Sequence, residues 1–119
     1  MSKPTSNFTV QSHFEGKDPN VRLIYDQLRK TFKKFGPFTE EPKKTSIHLV
    51  NATAFAGVAT RKSYLLLNIK GDRPIKSARI QKSERVSAHR YHHEVKLVSA
   101  AEVDEELIGW LQQAYVLSE

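Results

Sequence analysis

The chain of 119 residues contains no cysteine. This absence excludes disulfide bonds, zinc sites built on thiolates and thiol nucleophiles, and it fits a reducing compartment. No apolar run approaches the roughly 20 residues that a membrane-spanning helix needs, and residues 1–7 lack the apolar stretch of a secretory signal. We therefore expect a soluble cytoplasmic protein that has no membrane partner.

Glycine is also scarce, with five residues in the whole chain, and none of them belongs to a glycine-rich phosphate loop or a nucleophile elbow. Ser46, Ser83 and Ser87 lie near lysines or histidines in sequence alone. No helix-turn-helix, zinc-finger or ribonucleoprotein motif is present either. These absences leave the chain without a sequence signature for one named reaction.

Positive charge is abundant and is concentrated in the middle of the chain. Residues 33–96 hold fourteen Lys and Arg against five Asp and Glu, whereas residues 97–119 hold five acidic residues and no Lys or Arg. The net charge of the whole chain is +6. A basic surface favours an anionic partner, such as nucleic acid, a phosphorylated molecule or an acidic protein, although a solvated lysine-rich surface would give the same composition.

The first part of the chain predicts an arm, a helix and a loop. Residues 1–16 are polar apart from Phe8, Val10 and Phe14, and they predict a flexible N-terminal arm whose last residues dock on the domain. Asp18-Pro19 is typical of a helix start, and apolar residues at helical spacing continue from there to Phe35. Gly36 suits the left-handed residue that follows a helix. The polar segment 38–44 then predicts a loop.

Alternation of apolar and polar residues predicts four strands. The first three, at residues 45–51, 55–60 and 64–70, are separated by short turns and form an antiparallel meander. Residues 75–90 are basic and poor in apolar residues, so we expect a long loop there. The fourth strand, at residues 92–97, returns to the sheet. The predicted fold class is α+β: an antiparallel sheet of about four strands, with the N-terminal and C-terminal helices packed on one face.

A second helix closes the single domain that we expect over residues 17–119. Ser99 and Glu102 form a capping-box pattern, and the residues after them are acidic, which suits the positive end of a helix. Apolar residues follow at helical spacing, among them Trp110, which we expect to be buried. The predicted core consists of Val21, Ile24, Leu28, Phe32, Ile47, Leu49, Val58, Leu65, Leu67, Val95, Leu97, Val103, Leu107, Trp110 and Leu111.

Four segments of the sequence form a recognisable set. They read KKTSIHL at residues 43–49, FAGV at residues 55–58, SAHRYHHEVKL at residues 87–97 and WLQQAY at residues 110–115. Together they resemble a small bacterial domain family of unknown function, whose members are sometimes labelled "predicted transport protein". The resemblance covers residues 14–118. It implies no catalytic residue, because the motifs of the family have no assigned chemistry.

The strand phase predicts a polar surface on the face opposite the apolar residues. His48 alternates with Ile47 and Leu49, and His92 alternates with His93, so both leave the apolar side together. Arginine pairs well with phosphate and carboxylate, because its planar donors match two oxygens at once. We therefore predict an anion-binding cleft on this face. Its candidate ligand-binding residues are His48, Arg61, Tyr64, Arg79, Arg90, His92 and Lys96.

Two functions fit such a cleft. The leading hypothesis is a non-enzymatic binding module for an anionic ligand, either nucleic acid or a phosphorylated or carboxylated molecule. The alternative is a small hydrolase or transferase that uses a His, Glu and Arg site on an anionic substrate. An ordinary solvent-facing sheet surface would show the same alternation. No metal and no cofactor are expected, since zinc needs three or four converging ligands, and His93 on the apolar face predicts a buried histidine with hydrogen-bond partners.

Overall fold

The computed structural model describes residues 8–119, which form two α-helices and one six-stranded antiparallel sheet. The α+β class is confirmed, but the sheet has six strands where we predicted about four. The helices are α1 (Pro19–Phe35) and α2 (Glu105–Leu117). The strands are β1 (Thr39–Pro42), β2 (Ile47–Val50), β3 (Ala54–Thr60), β4 (Leu65–Gly71), β5 (Ile80–Ser87) and β6 (Arg90–Leu97), in the spatial order β1-β2-β3-β4-β6-β5. Neither helix among these residues is long and apolar enough to cross a membrane.

Helix α1 has the bounds that the sequence predicts. Pro19 is its first residue, where a missing N–H does no harm. Gly36, which follows the helix, has a φ of 148°, and a side-chain carbon there would lie 2.6 Å from the Tyr115 hydroxyl. Tyr115 donates a hydrogen bond of 2.7 Å to the carbonyl of Pro37. Both the backbone angle and the close contact therefore require glycine at this junction between α1 and α2.

Residues 8–16 are the described part of the predicted N-terminal arm, and they contact the rest of the domain. The ring of Phe14 lies 5.1 Å from that of Tyr25 in α1. His13 donates a hydrogen bond of 2.8 Å to the carbonyl of Lys43. Residues 1–7, for which we also predicted flexibility, lie outside the described residues.

Strand β1 forms where the polar sequence predicted a loop. Its four residues show no apolar alternation, and its proline is tolerated because β1 is an edge strand. Main-chain pairing with β2 sets Glu40 opposite Leu49. The Glu40 carboxylate accepts a hydrogen bond from the Tyr25 hydroxyl and lies 3.1 Å from Nε of Arg29. Burial and the neighbouring carboxylate raise the pKa of Tyr25, and the three side chains tie β1 to α1.

Strand β5 corrects the second loop prediction. It joins β6 through a two-residue turn at Ala88 and His89. Seven of its eight residues are exposed, so the strand depends on main-chain pairing with β6. Its sequence therefore lacks the alternation of apolar and polar residues that predicts a half-buried strand. Two register irregularities interrupt it. Such bulges, together with charged side chains, protect an exposed sheet edge against pairing with another chain.

One core cluster joins residues of both helices to the inward-facing residues of the sheet. Every predicted core residue is buried except Trp110, which is partly buried and packs at the margin of the cluster. The Arg79 guanidinium lies over its ring, 5.9 Å from the centroid. The prediction also missed several buried residues, among them Tyr25, Phe55, Ile69, Ala114 and Tyr115.

Ser99 and Glu102 close a short turn rather than begin α2. The Glu102 carboxylate accepts a hydrogen bond of 3.1 Å from the main-chain N–H of Ser99, and only the 3-10 turn Ala100–Glu102 follows. Val103 has φ −81° and ψ 76°, which ends that turn. Helix α2 begins at Glu105, and its N-cap is Asp104, whose Oδ1 accepts a hydrogen bond of 3.1 Å from the N–H of Leu107.

Candidate functional site

One row of directly paired residues crosses all six strands on the face opposite the core. Side chains that are paired in an antiparallel sheet project to the same face. We call this face, which alternates with the buried residues, the open face. In order across the sheet, the row consists of Glu41, His48, Gly57, Asn68, Glu94 and Lys82.

A groove of about 340 Å³ lies along the open face. Small or apolar residues, including Gly57, Ala59 and Leu66, form its floor. A side-chain carbon at Gly57 would lie 3.9 Å from both Cδ2 of His48 and Cβ of Asn68, so the glycine leaves a gap between these two side chains. The polar residues that line the groove are Ser46, His48, Arg61, Asn68, Lys70, His92 and Glu94.

Four of these polar side chains lack a protein partner. Within residues 8–119, the side chains of His48, Asn68, His92 and Glu94 form no hydrogen bond and no ion pair. His48, His92 and Glu94 are nevertheless partly buried. Polar groups that are partly shielded from water usually form hydrogen bonds with other protein groups. Because these side chains do not, their donors and acceptors are available to a bound molecule.

Lys70 and His92 line one end of the groove, and Arg90 lies beside them, so that the three form a basic cluster. Lys70 is paired directly with His92, and Arg90 lies two residues before His92, hence on the same face of β6. Burial and the charge of Arg90 lower the pKa of Lys70. Lys70 donates a hydrogen bond of 3.1 Å to the Thr53 hydroxyl. Glu84 of β5 is paired with His92 of β6. Among the described residues, however, no carboxylate forms an ion pair with any member of the cluster.

His48 and His92 line the same groove without sharing one contact point. Strands β3 and β4 lie between their strands, and three interstrand steps of about 4.8 Å separate β2 from β6 by about 14 Å. One small ion therefore does not touch both imidazoles. A ligand that contacts both must be elongated, and its middle would cross Gly57 and Asn68.

Three other predicted residues lie at or beside the groove. Arg61 lines it and donates a hydrogen bond of 3.2 Å to the carbonyl of Thr60. Lys96 and Tyr64 form a pair next to it, with the Lys96 Nζ 4.4 Å from the centre of the Tyr64 ring. Both are at the end of the groove that lies away from Lys70, because Lys96 is paired with Leu66 near the start of β4.

Arg79 lies apart from the groove, although the prediction placed it in the same cleft as the histidines. It donates hydrogen bonds of 2.8 Å to the Asp104 carboxylate and 3.1 Å to that of Glu106. A third bond of 2.7 Å goes to the carbonyl of Glu102. These bonds fasten the connection between β4 and β5 to the start of α2, so the structure does not bring Arg79 together with His48 and His92.

Lys70 and Gly57 belong to the groove but were absent from the predicted site. Lys70 is the last residue of the predicted strand 64–70 and continues the alternation of Leu66 and Asn68 by one step, so that alternation would have placed it on the same face. Gly57 matters because it has no side chain, and that role can be recognised only when its neighbours across the sheet are known.

Within residues 8–119, no three His, Asp or Glu side chains are grouped so that they could hold a metal ion.

His93 is a buried histidine with hydrogen-bond partners, as the alternation predicted. Its side chain is fully buried, Nδ1 lies 2.8 Å from the Ser83 hydroxyl, and Nε2 lies 3.1 Å from the carbonyl of Arg73. Burial lowers its pKa. Ser83 escaped the sequence reasoning because its histidine partner is ten residues away along the chain and comes opposite only when β5 and β6 pair.

A family model described as a domain of unknown function (DUF5655) matches residues 10–118. The match covers nearly the whole chain. Comparisons with curated proteins and with solved structures give no match. The function of the groove must therefore be inferred from its own geometry.

Proposed function

Since the chain belongs to DUF5655, a family of domains of unknown function, we propose from the groove itself that the protein is a binding module for an elongated anionic ligand. The observation that carries the proposal is a groove whose partly buried polar side chains have no protein partner. Residues of both helices share the core cluster with the inward-facing residues of the sheet, and the groove lies among the alternate positions. A bound molecule would supply the partners that these side chains lack.

The anionic group of the ligand binds at the cluster of Lys70, Arg90 and His92. The lowered pKa of Lys70 supports this assignment, because burial and the nearby charge of Arg90 disfavour the ammonium ion in the free protein. A phosphate or carboxylate would relieve that repulsion and would accept charge-assisted hydrogen bonds from all three side chains.

The rest of the ligand lies over the floor of Gly57, Ala59 and Leu66. A floor of small or apolar side chains favours an apolar group of the ligand, such as a ring that lies along the sheet. In the middle of the groove, the Asn68 amide offers a donor and an acceptor, and the Glu94 carboxylate accepts from N–H or O–H groups. An anion attached to a planar group with a donor edge fits this lining, and both aromatic phosphates and nucleotides are of this kind.

Phenyl phosphate is the simplest probe of the proposal, because it carries one anion and one planar ring. We expect the wild-type protein to bind it, as measured by titration calorimetry. Arg90→Ala and His92→Ala should each weaken binding by about tenfold or more, since a hydrogen bond to a charged group contributes about 1.5–3 kcal/mol. Both side chains lie on the surface of the sheet, so the melting temperature should change little.

Arg85→Ala is the matched control for Arg90→Ala. It removes the same charge from the same hairpin, but Arg85 is paired with Tyr91, whose position alternates with those of Arg90 and His92. Binding should therefore be unchanged. Equal weakening by both substitutions would show unspecific attraction to the basic hairpin, and no binding of millimolar phenyl phosphate would contradict the proposal.

Nucleic acid is a larger ligand of the same class, and its salt dependence separates it from a small anion. If single-stranded nucleic acid occupies the groove, a labelled oligonucleotide should bind in low salt, and the logarithm of its affinity should fall steeply with that of the salt concentration. Absence of binding at high micromolar protein in low salt would exclude nucleic acid and leave a small anion as the ligand.

A further inference from the structure

A second polar site lies at the β5 edge of the sheet, on the face opposite the open face. Ser83 on β5 and His93 on β6 are paired directly across the two strands, and the Ser83 Oγ lies 2.8 Å from Nδ1 of His93. Ser83 is exposed, whereas His93 is fully buried. The hydroxyl of an exposed serine is thus in contact with a buried imidazole.

The second ring nitrogen of His93 fixes the direction of this hydrogen bond. Nε2 lies 3.1 Å from the carbonyl oxygen of Arg73, which can only accept. Nε2 must therefore carry the proton of the neutral ring, and Nδ1 is left as the acceptor. It follows that the Ser83 hydroxyl donates to Nδ1, which is the arrangement of a serine nucleophile and its base.

Two neighbours hold the imidazole in this orientation. Gly71 leaves room for it, because a side-chain carbon at that position would lie 2.9 Å from Nε2. The Tyr91 ring is stacked with the imidazole, with a centroid distance of 5.9 Å and an interplanar angle of 5°. The three parts required for an activated nucleophile are therefore present: a hydroxyl, a base and a group that orients the base, here a main-chain carbonyl.

We propose that Ser83 is an activated nucleophile that accepts an acyl or phosphonyl group from small activated electrophiles. The Ser83 Oγ forms a bond to the carbonyl carbon of an ester while its proton passes to Nδ1 of His93. The bond to the leaving oxygen then breaks, and His93 returns the proton to that oxygen. The products are acyl-Ser83 and an alcohol, and no oxidant or metal is needed. This proposal does not depend on ligand binding in the groove.

Burial keeps His93 in the form that the step requires. It lowers the pKa of the imidazole, and the charge of the neighbouring His92 acts in the same direction, whereas the hydrogen bond to the Arg73 carbonyl opposes both. The neutral base is therefore the dominant form at neutral pH.

An alkyl fluorophosphonate tests the proposal directly, because it reacts with activated serines. The Ser83 Oγ would attack phosphorus, and fluoride would leave with the proton that His93 carries. Peptide mass spectrometry of the full chain should find the label on Ser83, at a rate about 100-fold above that of other serines, as expected for a positioned base. Labelling should disappear in urea, where the two strands separate, and in Ser83→Ala.

Ser87→Ala is the matched control, since Ser87 is an exposed serine of the same strand and its side chain has no histidine partner among residues 8–119. It should leave the labelling rate unchanged. Ser83→Ala removes the partner of the buried His93 Nδ1, so circular dichroism must confirm that this variant is folded before its labelling is compared with that of the wild type. Absence of label from the folded wild-type chain, or equal labelling of Ser83 and Ser87, would overturn the proposal and leave the pair as a structural hydrogen bond.

Discussion

At the scale of single residues, Gly57 is a glycine that the fold does not require but the shape of the groove does. Its φ lies outside the positive region, and a side-chain carbon would meet its nearest neighbours at 3.9 Å, an ordinary contact distance. Neither the backbone nor the packing therefore requires glycine here. The cavity above it does, because an added methyl group would enter the floor of the groove.

Gly57→Ala should accordingly raise stability and weaken binding together. We expect the free energy of unfolding to increase by about 0.4–1 kcal/mol, since alanine reduces the conformational freedom of the unfolded chain. Phenyl phosphate should bind more weakly, because the methyl group lies between His48 and Asn68. Gly109→Ala is the matched control: Gly109 is an exposed residue of α2 with no atom near its missing side chain, so that substitution should stabilise the protein without affecting binding.

Leu111 and Trp110 test the assignment of the core margin. Leu111 is fully buried, whereas Trp110 is only partly buried beneath Arg79. Leu111→Ala should lower the free energy of unfolding by about 2–5 kcal/mol, because apolar contacts are lost and a cavity is left behind. Trp110→Ala should cost less than Leu111→Ala, despite the larger side chain. Urea unfolding of the two variants checks the order, and a larger loss for Trp110→Ala would place the indole in the core after all.

The position of the open-face residues could be predicted because strand alternation is a local property. Alternation with apolar neighbours predicts the face on which four polar side chains lie, and the structure places all four around one groove: His48, Asn68, His92 and Glu94. Arg79 lies in a connection where no alternation applies, and its position depends on the carboxylates of α2. Long-range contacts of this kind leave no pattern in the sequence.

At the scale of elements, β1 and β5 show where periodicity fails. Both are edge strands, and neither has the alternation of buried and exposed residues that a half-buried strand shows. Their main chains are ordered by pairing with β2 and β6, which the sequence of the edge strand does not encode. By contrast, α1 carries an apolar stripe with a proline at one end and a glycine at the other, and its bounds could be predicted to the residue.

The start of α2 depends on Asp104, which caps the helix and pairs with Arg79. Asp104→Asn keeps a capping oxygen and removes the charge, whereas Asp104→Ala removes both. The melting temperature should therefore fall further in Asp104→Ala than in Asp104→Asn. Ser99→Ala should have a smaller effect than Asp104→Ala, because Ser99 lies at the start of a three-residue turn. Equal melting temperatures for wild type and Asp104→Ala would remove Asp104 from the account of this helix.

The same contact predicts a pH effect with a definite sign. The hydrogen bond from Arg79 holds the pKa of the Asp104 carboxyl below its usual value, so folding favours the ionised form. Its contribution to stability is present above the unfolded pKa of about 4 and is lost as the pH falls through the lower folded value. Wild-type protein should therefore lose stability relative to Asp104→Asn in this acidic range. A constant difference between the two melting temperatures would contradict the assignment.

At the scale of the whole molecule, one face of the sheet serves folding and the other is free to bind. Apolar side chains of the strands enter the core with both helices, while the alternate positions carry histidines, an amide, a carboxylate and the cations near Arg90. The excess of positive charge in residues 33–96 favours an anion at this face.

Nuclear magnetic resonance can detect directly whether the groove on the open face binds an anionic ligand. Phenyl phosphate is added to isotopically labelled protein, and the imidazole signals of all five histidines and the main-chain amides are followed. Phenyl phosphate should shift the signals of His92, Gly57 and Asn68, whereas those of the buried His13 should stay unchanged. Shifts confined to His89 and the hairpin turn, or no shifts at all, would contradict the proposed binding.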